Sequence, residues 1–508
     1  MAKAKPSRTA KPEPAQTVQT VRAEGLAKPL LFAVAFIGGW TIMMLEILGG
    51  RVLAPYFGYS VYQWGALIGV VMSALAVGYY VGGRIGDRPG ARRFLLAALI
   101  ISTAFVLVVP RFVDVFMPWM RAAGPAWGAV IGTFILLGVP SVLLATISPI
   151  VIRLTATDRI ANSAGLVYAI STFGSIGGTF FAAFFAIPEL GTRLSHYVAA
   201  GFLVVAVLAM AYASRAITAA GLVVVIMVLG YPLPVGKSPG EIYRAESIHN
   251  IIRVFDSPAQ RQLFLNYTLG AQTVMSKTGI LTGGYYDHFL VGPHLNGGKK
   301  VLFLGVAGGT ALKQLVTVYP KVEVTGVDLD PAVLKVAREY FGLKGERRIK
   351  LVAEDARWFV STDRETYDVI AIDLYVTGHI PFFTTTREFF TLVRERLSEN
   401  GVVIMNILSI AGEGELLRPM IRTVRTVFPS TFLVGHGNYM LIATKRATSL
   451  DTLQEVFARK STSTETNTVL ARARLTLRTA SAGRQWPVFT DDLNDVEFRT
   501  FRAFFGRR

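Results

Sequence analysis

The feature that most constrains this chain lies in residues 299–373, where apolar runs end one after another in glycines or acids. The first run, KKVLFLGVAGGT from residue 299, is continuous Val, Leu and Phe, the pattern of a parallel strand buried on both faces. It stops at Gly305, Gly308 and Gly309, where the chain must turn tightly and let a ligand approach the backbone. A helix is predicted from Ala311 to Tyr319, with its N-terminus toward that ligand. The second run, VEVTGVDLD, ends in Asp328 and Asp330, about twenty residues past the glycines, a spacing suited to an acid on a ribose. The third ends in Glu354 and Asp355, and the fourth, YDVIAIDLY, ends in Asp373. Open α/β sheets bind ligands at the carboxyl ends of their strands. The ordered set therefore predicts a Rossmann-like, doubly wound sheet of the class I methyltransferase type that binds a nucleoside.

The other half of the chain asks for a different solvent. The 508 residues are 52% hydrophobic, and the excess lies between residues 29 and 233. Apolar stretches of spanning length fall near 29–49, 62–83, 94–110, 127–152, 164–188, 196–213 and 216–233, predicting a multi-pass helical domain of about seven spans. Gly65 and Gly69, and Gly174, Gly177 and Gly178, have the spacing of close helix packing. Glu46 lies inside the first span, where an acid is costly and marks function unless it pairs with Arg51. The loop GGRIGDRPGARR resembles the loop signature of major-facilitator transporters through Gly83, Asp87, Arg88, Gly90, Arg92 and Arg93; a basic cytoplasmic turn explains it as well.

Charge adds a partner and a conflict. The net charge is +18, without a compact basic and aromatic patch, so anionic lipid is the expected partner and nucleic acid is not. Arginine and lysine place the N-terminus and the loops at 84–93, 153–159 and Arg215 in the cytoplasm, at a cell membrane. Seven spans would then put the C-terminal half outside, against the cytosolic origin of the nucleotide inferred below; a cytoplasmic catalytic half is the favoured reading. The chain has no cysteine, which excludes disulfides, thiolate metal sites and a cysteine nucleophile, and its six histidines lack ligand spacing, so no metal is expected.

The remaining segments complete the predicted organisation. Residues 1–28, rich in Lys, Pro, Ala and Thr, form a disordered basic tail. A Pro/Gly linker follows the spans, then a small antiparallel β unit over 241–292, the nucleotide-binding domain over 293–445, and a basic helical tail over 446–508. Near the end of that tail Asp491, Asp492 and Asp495 make an acidic cluster.

Across roughly 241–445 the chain resembles the spermidine synthases, the polyamine aminopropyltransferases. Glu246-Ser247 with Asn250-Ile251-Ile252-Arg253-Val254 is similar to that family's opening strand. Leu265-Asn266-Tyr267 stands at its Leu-Asp-Gly turn, and Tyr285-Tyr286-Asp287-His288 at its Tyr-His-Glu segment. Residues 305–309 stand in its GGGDGG loop, and Pro381-Phe382-Phe383-Thr384 with Glu388-Phe389-Phe390 resembles its Pro-Leu-Phe-Thr and Glu-Phe-Tyr. The whole arrangement resembles bacterial multi-pass transporter-like/spermidine synthase fusions, which also carry a Thr-Asp-Asp like Thr490-Asp491-Asp492.

The resemblance implies decarboxylated S-adenosylmethionine as co-substrate, a di- or polyamine acceptor, no metal and a homodimer. It implies that Asp328 holds the ribose, Asp355 reads the adenine and Asp373, the first Asp of the DSTD segment, activates the amine. Two family acids are replaced, by Gly308 and Val376, so the cationic acceptor needs substitutes; Glu246, Tyr286, Asp287, Tyr375 and the Asp491/Asp492 pair are the candidates. Two other functions stay open. One is a methyltransferase using S-adenosylmethionine; the other is a polyamine transporter or sensor whose nucleoside-binding half is not catalytic.

Overall fold

The computed structural model describes residues 27–121, 123–156, 160–216, 218, 222, 237–268, 270–409 and 414–505. Helix α1 (Lys28–Phe57) begins with a proline in its first turn and stops at Gly58, whose φ of 75° ends the helix. After a short turn α2 (Val61–Gly86) begins, with the Ser60 hydroxyl accepting from the Gln63 amide at 3.3 Å. Helices α3 (Ala91–Arg121), α4 (Ala126–Thr155), α5 (Ile160–Phe181) and α6 (Gly191–Ser214) follow.

Five helical runs are long and apolar enough to cross a bilayer, the last being the 55-residue stretch Ile160–Ser214. At 1.5 Å per residue that stretch is ~80 Å long, more than twice what one crossing needs. It is also interrupted at Gly191, where φ 73° and ψ 173° leave the helical region. Divided there, the runs give six crossing-length segments among the described residues; the seventh expected span, 216–233, lies almost wholly outside them.

Small residues set how closely α1 and α5 approach. A Cβ on Gly39 would sit 2.1 Å from the Ser171 carbonyl oxygen, and one on Gly174 or Gly178 would sit 2.2 Å from the carbonyl of Phe36 or Trp40. Gly65 and Gly69 do not share this role, since nothing lies within 4 Å of a Cβ built on either. In the loop that resembles the transporter signature, Asp87 pairs with Arg153 at 2.9 Å.

Beyond the helices, β1 (Glu241–Glu246), β2 (Ile251–Asp256), β3 (Gln260–Leu265) and β4 (Thr273–Ser276) form an antiparallel sheet in sequential order. The main sheet contains β5 (Lys300–Leu304), β6 (Glu323–Asp328), β7 (Ile349–Ala353), β8 (Tyr367–Ile372), β9 (Leu397–Leu408), β10 (Ser430–Val434), β11 (Asn438–Thr444) and β12 (Arg478–Thr479). Their order is β12-β10-β11-β9-β8-β5-β6-β7. The five strands from β7 to β9 run parallel, and β11 inserts antiparallel to β9 and β10. Helices α7 (Thr310–Val318), α8 (Pro331–Tyr340), α9 (Ala356–Thr362), α10 (Arg387–Glu395) and α11 (Leu417–Arg425) cross over between strands. The tail supplies α12 (Leu450–Ala458), α13 (Thr464–Arg474) and α14 (Val496–Phe505), and it adds β12 to the sheet edge, which its composition did not announce.

Alternation divides the core. Leu302, Leu304, Ile370 and Ile372 bury on one face, and Val301, Phe303, Val369 and Ala371 on the other, so each central strand is covered on both sides. This is the doubly wound, mixed-sheet arrangement expected from the continuous apolar runs.

The helical part and the small sheet meet at the end of α1. The Arg51 guanidinium donates to the carbonyls of Ser247 at 2.7 Å and Ile248 at 2.5 Å, and to the Tyr59 hydroxyl. Glu46 is therefore not its partner, which corrects the pairing considered from the sequence. The Tyr267 amide donates to Pro55 O at 3.1 Å, and the Tyr56 and Tyr267 rings stack with centroids 4.6 Å apart.

Candidate active site

The strand order reverses direction between β5 and β8, and a cavity of about 470 Å³ opens at the carboxyl ends of these strands. Its size is that of a small-molecule site. Gly305, Asp328, Asp355 and Asp373, from four neighbouring strand ends, all line it. Gly305 has φ 93°, and a Cβ there would lie 2.1 Å from the Asp373 carbonyl oxygen, so only glycine fits. Ala307 and Thr377, two non-glycine residues at φ 47°, also line the cavity, and such strain gathers at functional sites.

Asp373 is held by two side chains. The Tyr285 hydroxyl donates to its Oδ2 at 3.0 Å, and Asn406 Nδ2 donates to its Oδ1 at 2.9 Å. Burial pushes this carboxyl up to about 6, against the pull of both donors. Asn406 itself is 3% exposed, and its Oδ1 has no partner among the described residues.

Asp328 is fixed by the glycine loop. Its Oδ2 accepts from the amides of Val306 at 3.1 Å and Ala307 at 2.9 Å, and its Oδ1 from the Asp330 amide at 3.1 Å. Burial still raises it to about 6. Asp355 caps α9 through the Trp358 amide at 2.9 Å. Asp330 is buried and caps α8, and it also accepts from Ser247 Oγ at 2.5 Å and Asn250 Nδ2 at 2.9 Å, tying the small sheet to the large one.

Several residues singled out in the sequence stand elsewhere. Asp287 is a buried staple, accepting from Thr282 N and Oγ1, Gly283 N and Gln314 Nε2 at 2.7–2.9 Å. Tyr286 is buried and donates to Ala271 O at 3.0 Å; its neighbour Tyr285 is the one that reaches the cavity. Glu246 accepts from the Thr192 amide at 2.9 Å and lies 4.0 Å from Arg51, beside a smaller crevice at the helical junction. Asp491 forms a two-pronged pair with Arg357, at 2.7 and 2.5 Å, and Asp492 is exposed. Glu354, Gly308 and Gly309 do not line the cavity. Tyr375 does, its hydroxyl accepting from the Leu408 amide at 2.7 Å.

The loop position that carries an acid in the resembled family is sterically closed here. The Gly308 amide donates to Thr273 Oγ1 at 2.8 Å, and a Cβ on Gly308 would meet Thr273 Cγ2 at 2.7 Å. Strand β4 thus takes the space an Asp would need.

Sequence reasoning missed Tyr285, Asn406, the α1–α2 turn and Glu497 of α14. Neither period nor spacing could signal the last two, because they reach the cavity from opposite ends of the chain. The charge pattern is one-sided. In a chain with 52 lysines and arginines, none lines this cavity among the described residues, whereas four carboxylates and six tyrosines do. Such a lining favours a cationic occupant.

The fold is thus that of the Rossmann-like methyltransferases, with the binding crevice at the switch point of the sheet. Residues 288–435 match the family model described as "Spermine/spermidine synthase domain". A "Probable polyamine aminopropyl transferase" of Bifidobacterium longum is 34% identical over 220 residues, covering 43% of this chain and 47% of that protein. "Polyamine aminopropyltransferase 2" of Aquifex aeolicus is 23% identical over 395 residues, covering 73% of this chain and 78% of that one. An "N-terminal histidine N-methyltransferase" of Emericella nidulans is 32% identical over 145 residues, covering 27% and 25%. The chain spans about half the length of the Bifidobacterium relative.

Proposed function

We propose that the protein is a membrane-embedded aminopropyltransferase that moves an aminopropyl group from decarboxylated S-adenosylmethionine to an amine. The observation that carries this reading is the cavity lining, which among the described residues has four carboxylates and no lysine or arginine in a strongly basic chain. Donor and acceptor are both cations, and each must shed water to enter; carboxylates and tyrosine faces offset that cost.

The reaction is an in-line displacement. The amine lone pair forms a bond to the propyl carbon next to the sulfonium, and the carbon–sulfur bond breaks with its electrons going to sulfur. A neutral thioether nucleoside leaves, and the new ammonium gives its proton to a base. Asp373 is that base: a buried carboxyl near 6 is ionised at neutral pH yet basic enough to take a proton. Tyr285 and Asn406 fix its orientation. Asp328 and Asp355 stand toward the nucleoside, the first at the base of the glycine loop, the second with one oxygen left after capping α9. Positioning of the two substrates is worth ~7–11 kcal/mol, and base help a further ~10²–10⁴-fold.

A methyl donor in the same cleft is the second reading. It is favoured by the occupied space beside Gly308, since a methyl group needs no acid in that loop, and by the methyltransferase among the relatives. Mass spectrometry of products from the full-length protein, given each nucleotide with a panel of diamines, separates the two. Aminopropylated amine is the expected product; methylated product with S-adenosylmethionine alone would replace the first reading with the second.

A further inference from the structure

Part of the cavity wall is not built by the sheet. Tyr56, at the end of α1, Tyr59, in the turn, and Tyr62, in the first turn of α2, line it together with Glu497 of α14. An acceptor with two ammonium groups needs a carboxylate away from the reacting end, and the two loop acids that would serve are replaced by Gly308 and Val376.

The four lining carboxylates are not equally free. Asp328 receives three backbone amides, Asp355 caps a helix, and Asp373 is engaged by Tyr285 and Asn406. Among the described residues Glu497 accepts one bond, a long one of 3.3 Å from the Val61 amide to Oε2. It is half-buried, and burial holds its carboxyl above the ordinary range against the pull of the Val61 amide; no lysine or arginine lines the cavity beside it among the described residues. A desolvated carboxylate beside tyrosines is what an alkylammonium group pairs with.

Resting on the transfer reaction above, we infer that Glu497 and the tyrosines of the α1–α2 junction form the distal acceptor subsite, which takes the far ammonium of an α,ω-diamine. The helical part thereby completes the site instead of only anchoring it.

The test uses the full-length protein with Glu497→Gln, which keeps the size of the side chain and an oxygen for the Val61 amide. Acceptor kinetics are compared for a linear diamine and the monoamine of equal length, alongside calorimetric binding of the diamine in the presence of 5′-methylthioadenosine. The expected result is a rise of 10-fold or more in KM and dissociation constant for the diamine, with donor KM and the monoamine parameters within about twofold; Glu497→Asp should restore part of the loss. An equal loss for both amines, or no change for the diamine, overturns the subsite, as does wild-type protein that binds no diamine. Diamine binding that depends on Glu497 without any aminopropyl product would instead remove the transfer reaction and leave the subsite standing.

Discussion

Replacing Asp373 by Asn should make the protein more stable and much slower. Burial lifts this carboxyl from the ordinary 3.8 to about 6, and two units at 1.36 kcal/mol each make ~3 kcal/mol the cost of keeping it charged. Between pH 4 and 6 the folded state holds a proton that the unfolded chain has released. Stability therefore falls as pH rises through that window and stays lower above it. The asparagine is neutral throughout and carries no such loss. It also fits the bonds on offer: the Tyr285 hydroxyl can still donate to its oxygen, and Asn406, by turning its amide over, can present the Oδ1 that now lacks a partner. The expected gain is ~1–3 kcal/mol at pH 8, read as an apparent Tm several degrees higher in full-length protein, shrinking to nothing near pH 4. Turnover should fall by ~10²–10⁴ with donor affinity kept. A variant less stable at pH 8, or a Tm shift independent of pH, would refute the assignment of a buried, charged Asp373; undiminished turnover would remove it from the chemistry.

Other substitutions separate scaffold from site. Asp287→Ala removes the shared acceptor of Thr282, Gly283 and Gln314 and should cost ~1–3 kcal/mol in thermal unfolding, while the folded fraction keeps its KM for the acceptor. Gly308→Asp, which introduces the loop acid of the resembled family, should destabilise by ~1–3 kcal/mol because its Cβ meets Thr273; adding Thr273→Ser, which removes the nearest of the obstructing atoms, should recover part of that in the same assay.

The central sheet was readable because a strand buried on both faces leaves an unbroken apolar run, and because Asp328, Asp355 and Asp373 follow such runs directly. The acceptor side was not readable in the same way. Tyr285 and Tyr286 are adjacent in a 3-10 turn, and only its phase decides which hydroxyl meets Asp373. Asp287 and Asp491 carry the right charge, yet each is matched by partners near in space, Gln314 with the Thr282 turn and Arg357, that no spacing rule connects to them. Glu497 lies more than a hundred residues beyond Asp373, and the turn at Tyr59 more than three hundred before it. Contacts across such separations follow from how the helices dock, and local pattern says nothing of that.

Gly305 sets the glycine loop and the Asp373 backbone against each other with no room between. A displacement of either segment must push the other, so in the proposed transfer the fit of the adenosyl moiety and the aim of the proton acceptor are mechanically one adjustment. Donor loading would then tune the base before any amine arrives, which favours an ordered sequence with the nucleotide first.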